Sequence, residues 1–185
     1  MGFSMRVVLF LLMMVGLMTG GAAKAADLEN TLYLDLKDGR VVIELFPDVA
    51  PQHVARIKEL VREKFYDGIV FHRVIDGFMA QTGDPTGTGM GGSKKPNLPA
   101  EFNAKPHIRG AVSMARAGSP NSANSQFFIV FKDSHFLDNQ YTVWGQVVEG
   151  MEIVDKIKRG APQSGTVKDP DKIVSMRVAS DIEKK

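Results

Sequence analysis

The sequence predicts an all-β-dominated domain, a barrel or a sandwich, with two helices set among its strands. Three observations predict it. Short runs alternate apolar and polar residues, as Leu32, Leu34 and Leu36 do against Tyr33, Asp35 and Lys37, and a period of two belongs to a half-buried strand. Turn signals separate such runs, at Asp38-Gly39, Pro47 and Asp67-Gly68, the punctuation of many short strands. Helical spacing of apolar residues is confined to two stretches, residues 51–64 and 151–158.

The chain has 185 residues, 44% apolar and 24% charged, which fits one globular domain with a leader. Residues 1–25 read as a cleaved signal peptide: Arg6 is the basic start, residues 7–18 are apolar except for Gly16, and Ala23-Lys24-Ala25 is an A-x-A cleavage site. The apolar run falls short of the ~20 residues of a membrane span. The expected product begins at Ala26, comprises residues 26–185, works in the periplasm and keeps no stable membrane association. With no cysteine, the lipoprotein route and disulfides are both excluded. The leader holds Arg6 and Lys24 and no acid; removing them from the 23 basic residues leaves 21, equal to the 21 acidic ones. A neutral chain without a sustained basic patch is not a nucleic-acid binder.

The first alternating run turns at Asp38-Gly39, a pair that tolerates positive φ, and returns through Val41, Ile43 and Leu45 to Pro47. Pro51 suits the first turn of a helix, and Val54, Ile57, Leu60 and Val61 form its apolar stripe. Asp67-Gly68 leads into a strand over residues 69–74. Residues 83–110, rich in glycine and proline, have no periodicity, and an irregular segment of that length usually carries or covers a site. Further strands are expected at residues 110–115, 126–131, 141–148 and 173–178, and a short helix at 151–158.

Residues 71–81, FHRVIDGFMAQ, mix a fixed cation with large apolar side chains. Residues two apart in a strand share a face, so Arg73 is expected to point with Phe71, and Met79 with Gln81. An unpaired guanidinium is costly to bury. Arg73 therefore either pairs with a carboxylate such as Asp76 or Glu44, the commoner arrangement, or lines an apolar cleft and faces a ligand. Gly87 to Gly92 match G-x-G-x-x-G, but Pro96 and Pro99 follow where a dinucleotide site needs a helix; a loop that lets backbone approach a ligand is the better reading. His53, His72, His107 and His135 lie at no metal-ligand spacing, so no metal or cofactor is expected, and His72 reads as structural. No G-x-S-x-G elbow supports a hydrolase.

FHRVIDGFMAQTGD followed by GTGMGG, together with Ser113 to Ala117, Ser125 to Ile129, and Phe136-Leu137-Asp138 through Val143-Trp144-Gly145, resembles the cyclophilins, peptidyl-prolyl cis-trans isomerases, from about Thr31 to Val178. The resemblance implies a closed eight-stranded antiparallel β-barrel capped by two α-helices, with a packed interior and the active site on its outer wall. It implies catalysis of X–Pro rotation in unfolded exported proteins and proline-containing peptides. Arg73 is the implied catalytic residue. Phe78, Met79, Phe128, Leu137 and Tyr141 are the implied proline pocket, with Phe136 beside them. Gln81, Gln126 and the backbone of Arg116 would hold the peptide, and Ala115 and Ala117 would leave room for its neighbouring residue. Phe136 stands where the best-known eukaryotic members carry Trp, and Tyr141 where they carry His, so weak binding of cyclosporin-type inhibitors is expected. The alternative is a proline-recognising chaperone or binding module without turnover.

Overall fold

The computed structural model describes residues 27–183; the signal-peptide reading of residues 1–25 and the start at Ala26 lie outside them. Among the described residues, eight strands build one antiparallel sheet. They are β1 (Thr31–Leu36), β2 (Gly39–Leu45), β3 (Arg73–Ile75), β4 (Met79–Thr82), β5 (Ala111–Met114), β6 (Phe127–Val130), β7 (Val143–Glu149) and β8 (Ser175–Val178). Their order across the sheet is β3-β4-β6-β5-β7-β2-β1-β8. Leu36 pairs with Gly39, so Lys37 and Asp38 are the turn and Gly39 opens the return strand, one residue from the expected position.

The sheet curls into a half-barrel, and register shifts at Val42/Ile43 and Val112/Ser113 bend it, as bulges do. The expected closed barrel is not formed, because the outer strands β3 and β8 share no ladder. Between them runs the irregular segment 160–174, joined to residues 68–74 by isolated bridges, Val70 to Lys172 and Arg73 to Thr166. Gly160, Pro162, Gly165 and Pro170 explain why no strand forms there: proline cannot donate to a ladder and glycine weakens one.

Helix α1 (Pro51–Arg62) buries Val54, Ile57, Leu60 and Val61, the stripe read from the sequence. Its Ala50 cap offers no side-chain acceptor. The Glu101 carboxylate replaces it, accepting from the backbone N–H of Gln52 at 3.1 Å and of His53 at 3.0 Å, so the irregular segment caps the helix. Helix α2 (Met151–Val154) is one turn, shorter than expected, because the chain tightens: Lys156 N–H donates to Ile153 O and Ile157 N–H to Val154 O, an i→i−3 pattern. A third short helix, α3 (Ala179–Ile182), follows β8; four residues are too few for a periodic signal. Two helices capping two ends is therefore too simple a description.

Apolar residues cover both faces of the sheet where β4 and β6 meet. Phe127 and Ile129 enter the main core with Leu32, Leu34, Ile43, Trp144 and the α1 stripe. Phe128 and Val130 enter a second, outer cluster with Met79, Leu137 and Val143. This is why β6 reads FFIV without alternation: a strand buried on both faces is apolar throughout.

Candidate active site

The outer cluster is where the strand registers bring the polar residues of three strands into line. Arg73 on β3 pairs with Gln81 on β4, and Gln81 pairs with Phe128 on β6. One row along, Ile75 pairs with Met79 and Met79 with Val130. Residues directly opposite in an antiparallel sheet share a face, so Arg73, Gln81 and Phe128 stand side by side with Met79 next to them. A 3₁₀ turn at His135–Leu137 adds Phe136 and Leu137, and Tyr141 follows with its ring against Phe128 at 5.8 Å between centroids.

A cleft of about 470 Å³ results, lined by Arg73, Phe78, Met79, Gln81, Ala115, Arg116, Phe128, Phe136, Leu137 and Tyr141. An adjoining cleft of about 460 Å³ shares Gln81, Ala115 and Arg116 with it and adds Ala117, Gln126 and the glycine loop from Gly89 to Gly92. All twelve residues singled out from the sequence therefore lie on these two clefts. Phe71 does not: it is fully buried in the main core. The expectation that it shares a face with Arg73 fails because β3 begins only at Arg73, and the alternation does not extend back to residue 71.

Arg73 is half-buried and, among the described residues, has no carboxylate partner. Asp76, a candidate partner, is bound instead by Arg159, with Nε at 2.9 Å from Oδ1. Arg73 Nε donates to Ser164 O at 3.2 Å and Nη1 to Gln81 Oε1 at 3.3 Å, so Nη2 keeps both N–H groups free. Gly165 sets the distance of that support. Its φ is +74°, and a Cβ there would lie 2.6 Å from Ile75 and 3.1 Å from the Arg73 stem. Of the two arrangements left open by the sequence, Arg73 takes the one that lines an apolar cleft.

From Arg73 a polar chain crosses both clefts. Gln81 Nε2 donates to Gln126 Oε1 at 2.9 Å, and Gln126 Nε2 donates to Gly91 O at 2.8 Å and Gly89 O at 3.0 Å. Asp84, buried beneath the loop, accepts from the backbone N–H groups of Thr86, Thr88, Gly89 and Gly91. Burial alone would raise this carboxyl, but the Thr86, Gly91 and Gly89 donors outweigh it and hold its pKa at about 2. The loop is thus tied to one anion. Gly83 is required just before it, because a Cβ there would stand 2.4 Å from Ser125 O.

A family profile described as cyclophilin type peptidyl-prolyl cis-trans isomerase/CLD matches residues 31–178. The chain belongs to the cyclophilin family. A probable peptidyl-prolyl cis-trans isomerase of Brucella suis biovar 1 is 57% identical over 171 residues, covering 86% of this chain and 87% of its own length. The crystal structure of a cyclophilin from Hirschia baltica superposes with a TM-score of 0.78 at 31% identity, covering 86% of this chain and 77% of that one. A Cryptosporidium parvum cyclophilin-type isomerase, crystallised in the presence of the dipeptide Ala-Pro, gives a TM-score of 0.75 at 28% identity over 80% of this chain and 98% of that one. This cyclophilin is a peptidyl-prolyl cis-trans isomerase.

One part of the cyclophilin site was missed in the sequence. His107, fully buried, lies parallel to Phe128, with centroids 6.1 Å apart and planes 16° apart. Its Nδ1 is 2.9 Å from Asp138 Oδ1 and its Nε2 is 2.9 Å from Ser113 Oγ. Burial lowers its pKa, against the pull of Asp138, and the two contacts clamp both ring nitrogens, while the Ser113 hydroxyl donates to Thr142 O at 3.0 Å. This fixes the ring on which Phe128 rests. Ser113 and Asp138 sit in the motif blocks; His107 lies in the segment without periodicity, and nothing there signalled it.

Proposed function

We propose that this cyclophilin rotates X–Pro bonds with Arg73 as the donor to the prolyl nitrogen. Rotation has a barrier of ~18–20 kcal/mol because it breaks amide resonance. No bond is cleaved, so the site needs no nucleophile. It needs an apolar pocket that removes water from the amide, and a donor for the nitrogen lone pair that appears when resonance is lost. Met79 and Phe128 form the pocket floor, Phe78, Leu137 and Tyr141 its walls, and Phe136 its rim. Gln81, Gln126 and the Arg116 backbone hold the flanking peptide, with Ala115 and Ala117 leaving room for its side chains. Turnover at ~10–10³ s⁻¹ requires about 4–7 kcal/mol off the barrier. One preorganised charged donor supplies about 3–4 kcal/mol, and the pocket supplies the rest.

The observation that carries this reading is the free Nη2 of a guanidinium without a carboxylate partner, at the edge of an apolar cleft. A module that only holds proline has no use for it. Its substrates are proline-containing peptides and unfolded exported proteins, reached in the periplasm after removal of the leader. Arg73→Ala tests the donor. A protease-coupled assay on an Ala-Pro peptide should lose well over tenfold in kcat/KM, with the circular dichroism spectrum unchanged. Retention of more than about a tenth of kcat/KM, a loss under ~1.4 kcal/mol, would overturn the role.

A further inference from the structure

Two cations and no carboxylate line the paired clefts. Arg73 borders the first, Arg116 borders both, and every other lining residue is neutral. The nearby acids are engaged elsewhere. Asp84 is buried beneath the glycine loop. Asp138 is held by His107 and His135, and Asp76 by Arg159.

Arg116 is held in place by neutral partners only. Nε donates to Gln140 O at 3.0 Å, and Nη1 donates to Ala117 O at 2.9 Å and Gly118 O at 3.2 Å. The guanidinium lies over the Tyr141 ring, 4.7 Å from its centroid. These contacts fix the plane of the charge without neutralising it, and Nη2 donates to no described protein group. A carboxylate meeting it gains a charge-assisted bond to a side chain that is already ordered, so little rotamer entropy remains to be lost. Beyond the leader the basic and acidic residues are equal in number, so the attraction belongs to the clefts and not to the molecule as a whole.

We propose that the clefts select proline substrates that carry an acidic side chain within a few residues of the proline, with Arg116 as the specificity-determining cation. The inference rests on the isomerase reading of the first cleft: a proline seated there leads its flanking residues past Arg116 toward the second.

The test measures rotation directly, by exchange NMR, on short peptides with Glu, Gln or Lys at each position from two before to two after the proline. At one position or more, the Glu peptide should exceed its Gln counterpart in kcat/KM by about threefold at low salt, the scale of an exposed ion pair. Most of that should lie in KM, with Lys below Gln. The ratio should approach one in ~1 M salt, where charges are screened within about 3 Å. Arg116→Gln should remove the Glu-over-Gln ratio and Arg116→Lys should keep part of it. Equal kcat/KM for Glu and Gln at every position, or a ratio unchanged by Arg116→Gln, overturns the preference while turnover of the Gln peptides leaves the isomerase reading standing. Failure to turn over any peptide overturns both.

Discussion

Phe136 shows how much one side chain at a rim can decide. It is 65% exposed, supported by Phe78 at 5.4 Å between ring centroids, and offers an aromatic face with no donor. Trp at this position would add an indole N–H and more apolar area. One neutral hydrogen bond contributes ~0.5–1.5 kcal/mol, and the larger ring contributes about as much again. Phe136→Trp should therefore tighten a cyclosporin-type inhibitor by roughly one to two decades in Kd, read by titration calorimetry; equal affinities would place residue 136 away from the inhibitor. The same scale shows what the sequence could not tell. Whether Arg73 was paired depended on Asp76 and Glu44: Asp76 is occupied by Arg159, a residue far along the chain that no local pattern connects to it, and Glu44 lies on β2 between Thr31 of β1 and Gln146 of β7. Arg73, Gln81 and Phe128 were individually legible from motif blocks, but their lateral row exists only through the strand registers.

Among the elements, α1 depends on a segment that has no regular structure. Glu101 caps its N-terminus and binds His53 Nδ1 at 2.7 Å, so His53, fully buried on the helix, joins the two. Burial lowers the pKa of His53 against the pull of Glu101, and burial likewise lowers those of His72 and His107. A histidine whose folded pKa is depressed is protonated first in the unfolded chain. Its contribution is complete above the unfolded pKa of about 6.5 and is lost as pH falls toward the folded value, by at most about 1.4 kcal/mol per pH unit for each group. The urea midpoint should consequently fall between pH 7.5 and pH 5.5, and fall less in His72→Phe, which removes a titrating ring whose nitrogens have no hydrogen-bond partner. A midpoint that holds or rises would refute this origin. The α1 stripe and the two-sided apolar run of β6 were legible because burial imposes period and composition. The cap was not, since Glu101 meets the N–H groups of Gln52 and His53 only in the fold.

At the scale of the molecule, the leader reading makes a prediction of its own: protein recovered from the periplasmic fraction should have the intact mass of a chain beginning at Ala26, and a full-length, membrane-bound product would refute it. β4 reads MAQT, without alternation or an apolar run, and the count of eight came from the family resemblance, but the other seven strands were within reach of the sequence through their own patterns. The open seam was not, because it depends on what residues 160–174 fail to do. The ends of that sheet also set a timetable. Leu32 of β1 pairs with Val178 of β8, so the strand made first at the ribosome lacks one neighbour until the strand made last has emerged. A nascent chain can form the β1–β2 hairpin early, but an isolated hairpin is marginal in water, and the main core still lacks Met176 and Val178. The polypeptide thus stays threadable for nearly the whole of its synthesis. For the export proposed here, that delay keeps the translocation pore supplied with unfolded chain until the far side of the membrane receives the strand that completes the sheet.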